Sequence, residues 1–313
     1  MARCGHQKAG SVRGGASSRC SRSGGFGGES PLKYRPQVLP LICLDVDGTL
    51  VGRSGRPSSE LWAAAERARA RGQHLTLCTA RLAAGPTRAW ASQLDPDGWH
   101  VFHTGAARWR PATGDVQVHE LGAGALDACA GAAADRGWVF EVYTWDDYWV
   151  DSSDELAVRH SQLLGIEHRR RPIGGVDGEV VRVQFVVPEA DTDAALAAAP
   201  PGTAASAATS PVMPGASFVS VTSAEVSKAA GVAEVAAALG VDVGDVMMVG
   251  DGHNDLSAIG VVGWGVAMGN ADPAVIDAAR FTVADVDEGG AAEAIDRSAS
   301  IDTGGSGGSG RRQ

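Results

Sequence analysis

Asp45-Val46-Asp47-Gly48-Thr49 sets two carboxylates two positions apart directly after an apolar run, beside a glycine that permits a sharp turn. At the carboxyl end of a strand such a pair can divide labour, one Asp attacking as nucleophile while the other gives and takes a proton. By itself the pentapeptide equally suits an Asx turn that ends a strand. Thr79 follows a second apolar run, Leu75 to Cys78, with Arg81 two residues on. Its hydroxyl could hold a phosphoryl oxygen or simply cap a helix. Gly250-Asp251-Gly252-His253-Asn254-Asp255 is the most specific stretch. Its outer aspartates lie four residues apart across a glycine-containing turn, so both can face one point, as a hard divalent cation with oxygen ligands requires. The longer ligand ladder and closing Glu of a calcium loop are absent, which favours Mg²⁺.

These residues need strands that bring them together. Val38–Leu44, Leu75–Cys78, Val101–His103, Val246–Val249 and a run around Val266 read as buried strands. Ala-rich amphipathic segments separate them: 58–71 with Ser58 or Ser59 as N-cap, 82–94, 227–239 and a short helix from Asn254. The alternation predicts an α/β fold with a doubly wound parallel sheet, in which ligands bind at the carboxyl ends of strands. The middle reads differently, with a hairpin around 111–115 and a helix over 124–136. Trp138–Tyr143 and Val180–Val187 alternate like strands of a half-exposed antiparallel sheet, and Ala199–Gly215 reads as a connection. The order predicts a Rossmann-like catalytic core at 38–117 and 213–298 with an inserted α+β cap at 118–212. The Gly-, Ser- and Arg-rich segments 1–37 and 299–313 read as disordered tails.

Composition narrows the function classes. The chain has 313 residues, enough for about two domains. Its 37 acidic and 27 basic side chains leave a net charge of −10, which argues against a nucleic-acid partner. Residues 1–37 carry seven Lys or Arg against Glu29 alone, so the remainder stands at −16; a basic arm is the alternative reading of that tail. No apolar run approaches the roughly 18 residues of a membrane span, so no membrane partner is expected. Five cysteines without metal-ligand spacing read as reduced thiols of a cytoplasmic protein. Oligomeric state stays open.

Taken together, DVDGT, Thr79 and GDGHND at three successive strand ends resemble the haloacid dehalogenase-like (HAD) superfamily of phosphohydrolases, and within it the Cof-type branch with a large α/β cap. Thr79-Ala80-Arg81, Val226-Ser227-Lys228 opening a helix, and Ala267-Met268-Gly269-Asn270-Ala271 add to the resemblance, which covers about residues 38 to 298. It implies a Mg²⁺-dependent hydrolase of a small phosphorylated metabolite. Asp45 would form an aspartyl-phosphate and also face the metal. Asp47 would protonate the leaving alcohol, later deprotonate water, and ligate Mg²⁺ through its carbonyl. Thr79 would hold phosphoryl oxygens and Lys228 would neutralise Asp45 and the developing charge. Asp251 would ligate the metal and Asp255 complete or orient its shell, with Arg81 and Asn254 near the substrate. Two loops depart from the usual pattern: Thr79-Ala80-Arg81 in place of TGR or SGR, and Thr104-Gly105-Ala106 in place of Asn-Gly-Ala.

Two other functions share these motifs. A phosphomutase similar to phosphomannomutase would keep the phosphate and would want phosphate-binding arginines on cap strands, where Arg182 is a candidate. A non-catalytic binding module would have lost Asp45, Asp47 or Lys228, and all three are present. In the expected cap, Tyr143, Trp145, Asp146, Asp147, Tyr148 and Trp149 form a dense cluster. It reads either as an ordinary hairpin or as a substrate-contacting lid. On the lid reading Tyr143 and Trp145 share a face where the chain leaves its strand, and Asp146 or Asp147 accepts hydrogen bonds from a polyol.

Overall fold

The computed structural model describes residues 38–209 and 213–301, so the tail expected at 1–37 and all but the first residues of the one at 299–313 lie outside the described residues. The chain enters on β1 (Leu41–Leu44), every residue of which is buried. It then forms α1 (Ser59–Ala70), whose first turn is capped by the Ser58 hydroxyl accepting from the Leu61 amide. β2 (His74–Leu77), α2 (Gly85–Leu94) and β3 (His100–Phe102) follow, and then a hairpin of β4 (Ala107–Trp109) and β5 (Val116–Val118).

The middle segment comprises α3 (Ala123–Arg136), β6 (Val139–Tyr143), β7 (Tyr148–Val150), α4 (Glu155–Leu163), β8 (Arg182–Pro188), α5 (Thr192–Ala197), β9 (Thr203–Thr209) and β10 (Ala216–Ser223). The last part alternates again through α6 (Lys228–Ala238), β11 (Val246–Gly250), α7 (Leu256–Val261), β12 (Trp264–Ala267), α8 (Pro273–Ala278), β13 (Phe281–Thr282) and α9 (Gly290–Arg297).

The first sheet has the order β13-β12-β11-β1-β2 and is parallel throughout. β3 extends it through one parallel bridge, Cys78 to Val101, and continues into the antiparallel β3-β4-β5 sheet. Because β11, β1 and β2 are parallel neighbours, their carboxyl ends lie side by side. Asp251, Asp45 and Thr79 sit at those three ends.

The second sheet, β7-β6-β8-β10-β9, is antiparallel throughout. Alternation gives it two unlike faces. Val142, Val183, Phe185, Val187, Val219 and Val221 join one apolar cluster with residues of α3 and α5. The intervening positions put Glu141, Tyr143, Arg182 and Gln184 on the opposite face.

Two expectations need correction. The segment 199–215, read as a connection, contains β9, an Ala- and Ser-rich strand that pairs with β10 along its whole length from Thr203 to Thr209. Its weak intrinsic strand preference is overridden by that ladder. The return to the first sheet, expected at 213, comes after Ser223, because β10 is hydrogen-bonded to β8 and β9.

Candidate active site

Asp45 sits one residue past β1, with its amide donating to the Val249 carbonyl of β11 at 3.0 Å. That backbone bond ties the first acidic motif to the strand that carries the last. Lys228 enters from the first turn of α6, which Ser227 caps by accepting from the Ala230 amide. Its fully buried ammonium lies 2.7 Å from Asp45 Oδ1 and 2.6 Å from Asp255 Oδ1. Asp255 Oδ2 in turn accepts from the Asp251 and Gly252 amides, each at 3.1 Å. Both Asp255 oxygens are therefore held by the protein. Asp251 Oδ1 accepts from the Thr49 hydroxyl at 3.2 Å.

Glycine is required at two places here. Gly48 has φ +75°, and an added Cβ would lie 2.0 Å from Asp251 Oδ2. At Gly105, with φ +115°, a Cβ would stand 2.3 Å from the Ser227 carbonyl, against the start of the helix that presents Lys228.

Asp45, Asp251 and Asp255 each offer a carboxylate oxygen within 4.8 Å of the others. Three carboxylates against one ammonium leave the ionised cluster two charges short of neutrality. Burial and then the neighbouring Asp255 push the Asp45 carboxyl up to about 8, against the pull of Lys228. Burial and Asp255 likewise push Asp251 up to about 7. Burial would lower Lys228, but Asp45 and Asp255 outweigh it and hold the ammonium above its usual range. A hard divalent cation fits this set: oxygen donors only, and the charge that the cluster lacks.

The other expected residues divide. Thr79 is buried, its hydroxyl accepting from the Arg81 amide at 3.2 Å and its carbonyl from the Thr104 amide at 2.9 Å. Asp47 is exposed and held by Arg81 through two hydrogen bonds, 2.8 Å to Oδ2 and 2.6 Å to Oδ1. Arg81 is thus engaged with Asp47. Asn254 is exposed at the end of the acidic loop. Asn270 clasps the site from behind, donating to the Gly48 carbonyl at 2.8 Å and accepting from the Val286 amide at 2.9 Å.

The aromatic cluster is a β6-β7 hairpin in which Tyr143 and Tyr148 stack at 5.8 Å. Tyr143 is wholly buried and donates to Glu141 at 2.6 Å, so it offers no surface to a substrate. Trp145 and Asp146 reach the first sheet's surroundings instead. The Arg88 guanidinium lies 4.7 Å from the Trp109 ring and 4.9 Å from that of Trp145, and 3.3 Å from Asp146. The Trp145 carbonyl accepts from the Ala83 amide at 3.1 Å.

A cleft of about 430 Å³ opens between the polar face of the second sheet and the loop 79–87, lined by Asp47, Arg81, His160, Arg182, Gln184 and Phe218 among others. Of these, His160, Gln184 and Phe218 were not anticipated. The available signal was period-two polarity in Val-Val-Arg-Val-Gln-Phe-Val-Val, where Arg182 and Gln184 interrupt an otherwise apolar strand.

Residues 42–295 match the haloacid dehalogenase-like hydrolase family. YxeH of Bacillus subtilis (strain 168) is 27% identical over 266 residues, spanning 82% of this chain and 97% of that protein. A haloacid dehalogenase-like hydrolase from Bacteroides thetaiotaomicron superposes with a TM-score of 0.71 at 23% identity, covering 82% of this chain and 98% of that one. The HAD subclass IIB sugar phosphatase BT4131 gives a TM-score of 0.71 at 22% identity, over 83% and 99% of the two chains.

Proposed function

The chain belongs to the haloacid dehalogenase-like hydrolase family, and from that premise we propose that it is a cytoplasmic, Mg²⁺-dependent phosphoric monoester hydrolase of a small phosphorylated metabolite. The observation that carries this reading is the Lys228 ammonium, buried between Asp45 and Asp255 with Asp251 beside them. An anionic nucleophile and a phosphate dianion repel each other, and a buried cation against the nucleophile offsets that repulsion in a low-dielectric site.

Asp45 attacks phosphorus through the oxygen not bound to Lys228 and becomes an aspartyl-phosphate. Thr79, at the neighbouring strand end, donates its hydroxyl to a phosphoryl oxygen. Asp47, on the cleft side, acts in its protonated form, released as Arg81 turns to the substrate: it gives a proton to the departing alcohol and afterwards takes one from the hydrolytic water. Asp45, Asp251 and the Asp47 carbonyl would hold Mg²⁺, while Asp255, with both oxygens already engaged, orients Lys228 and the acidic loop. Bound there, Mg²⁺ supplies the positive charge that the carboxylates lack and shields the phosphoryl oxygens. A small leaving group suits a cleft of about 430 Å³.

Asp45→Asn is isosteric and a poor nucleophile, so it should abolish phosphate release from an aryl phosphate while far-UV circular dichroism and melting stay near wild type. EDTA should do the same, reversibly with Mg²⁺. Near wild-type turnover by the Asn variant would remove Asp45 from the chemistry. Phosphate retained on the product in the presence of a sugar bisphosphate would favour a mutase instead.

A further inference from the structure

Among the described residues, Arg182 is a buried cation with no carboxylate in ion-pair contact. It is 6% exposed, on the polar face of the second sheet where β8 begins. Among the described residues its guanidinium has one hydrogen bond, from Nη1 to the Ala80 carbonyl at 2.9 Å, and its buried Nε has no acceptor. Tyr143 lies beneath it at 4.0 Å, a π face and not a charge. The nearby carboxylates are already matched. Glu141 is held by Tyr143 Oη at 2.6 Å, His160 Nδ1 at 2.8 Å and Gln184 Nε2 at 3.1 Å. Asp47 is held twice by Arg81. A buried guanidinium left with a neutral carbonyl and an empty N–H is costly, so its place in the cleft calls for an anion.

The position says which part of a substrate would bring that anion. The cleft lining includes Asp47, which faces the leaving alcohol in the proposed reaction, and none of Asp45, Thr79 or Lys228. Arg182 therefore stands on the leaving-group side of the site. We propose that Arg182 is a specificity residue that binds a second anionic group on the leaving group, a carboxylate or a second phosphate, so that the preferred substrates are phosphoesters of acids or bisphosphates and not neutral sugar phosphates. Gln184, with its amide held by Glu141 and its carbonyl by Ser220 at 2.9 Å, stiffens the floor beside it. A planar guanidinium pairs with either group through parallel N–H donors.

This inference rests on the phosphatase reading, and the test separates the two. The kcat/KM of the full chain with Mg²⁺ is measured on glucose phosphate, phosphogluconate and a glucose bisphosphate, with an aryl phosphate as a generic reference. Wild type should favour one or both of the doubly anionic substrates over glucose phosphate by at least about tenfold. Whichever of the two prevails identifies the group. Arg182→Gln should bring that ratio to within about twofold of unity, and Arg182→Lys should keep part of it. If the Gln variant fails to fold, the Lys variant carries the test, and a ratio unchanged from wild type overturns the proposal. A wild-type ratio near one overturns the proposal, as does a Gln variant that loses activity on all substrates in proportion, which is what a tether to Ala80 or a contact to the transferred phosphoryl would give. No phosphate release even from the aryl phosphate would take the phosphatase reading down with it.

Discussion

His100 illustrates how strictly single side chains in this core are committed. It is fully buried, its Nδ1 accepting from the Leu77 amide at 3.1 Å and its Nε2 facing the Asp95 carbonyl at 2.8 Å. Only the neutral ring with its proton on Nε2 satisfies both partners. Burial accordingly pulls its pKa from 6.5 down to about 4. Between these values the unfolded chain binds a proton that the folded protein refuses. Stability from this site is therefore complete above pH 6.5 and falls with decreasing pH, by up to about 1.4 kcal/mol per unit. Asp45 and Asp251, raised in the folded protein, act in the opposite sense in the absence of metal. The measurement is thus a comparison by urea unfolding at pH 7 and 5, in which the change on acidification should be less favourable to wild type than to His100→Gln. Parallel changes would mean that the ring titrates freely. Thr104 is a second committed position, a β-branched residue held at φ +61° next to Gly105. Asn tolerates that conformation better, so Thr104→Asn should raise stability by about 1 kcal/mol, and a lower melting temperature would show that the Thr methyl packs usefully.

At the scale of elements, the site depends on three parallel strand ends and one helix start. β1 lies between β11 and β2, so any shift of one strand would separate Asp45 from Asp251 or Thr79. The β6-β7 hairpin is engaged within the protein. Its tip carries Trp145 to Arg88 and Trp109, and its backbone to Ala83 and His103, making a contact between the second sheet and the loop after Thr79. Trp145→Ala should therefore lower kcat/KM for a small aryl phosphate and for a larger metabolite by similar factors, because it loosens the docking that forms the cleft. A loss confined to the larger substrate would restore Trp145 to direct recognition.

The described residues form two five-stranded sheets and the smaller β3-β4-β5 sheet, and no helix among them is long and apolar enough to cross a membrane. Metal binding should tie the first sheet's acidic end together. Mg²⁺ at about a hundred times its dissociation constant should add about 2.7 kcal/mol to stability, read as a rise in melting temperature. Ligation needs ionised carboxylates, and Asp45 and Asp251 sit near 8 and 7 without metal. The rise should consequently be larger at pH 8 than at pH 6, and Asp251→Asn should erase most of it. An equal rise at both pH values in the variant would place the ion elsewhere.

The sequence by itself determined where the acidic residues stand, since an apolar run marks each strand end and a four-residue turn holds Asp251 and Asp255 in one loop; the roles proposed for them rest on the resemblance of the motifs to a family. It also determined the alternation that makes a parallel sheet with an inserted module. Other features needed the tertiary structure. Lys228 reaches Asp45 from a helix that starts against Gly105, and Thr49 meets Asp251 across 202 residues of chain. β9 formed against propensity because β10 offered a complete ladder. Tyr143, accessible on paper, is buried, while Arg182 comes to line the cleft. The physical reason is the range of the interactions. Spacing along a turn or strand sets where neighbouring side chains point, whereas burial, charge compensation and the cleft's lining depend on which sheet faces packed together, and that is decided by the sum of all apolar contacts and not by any one segment.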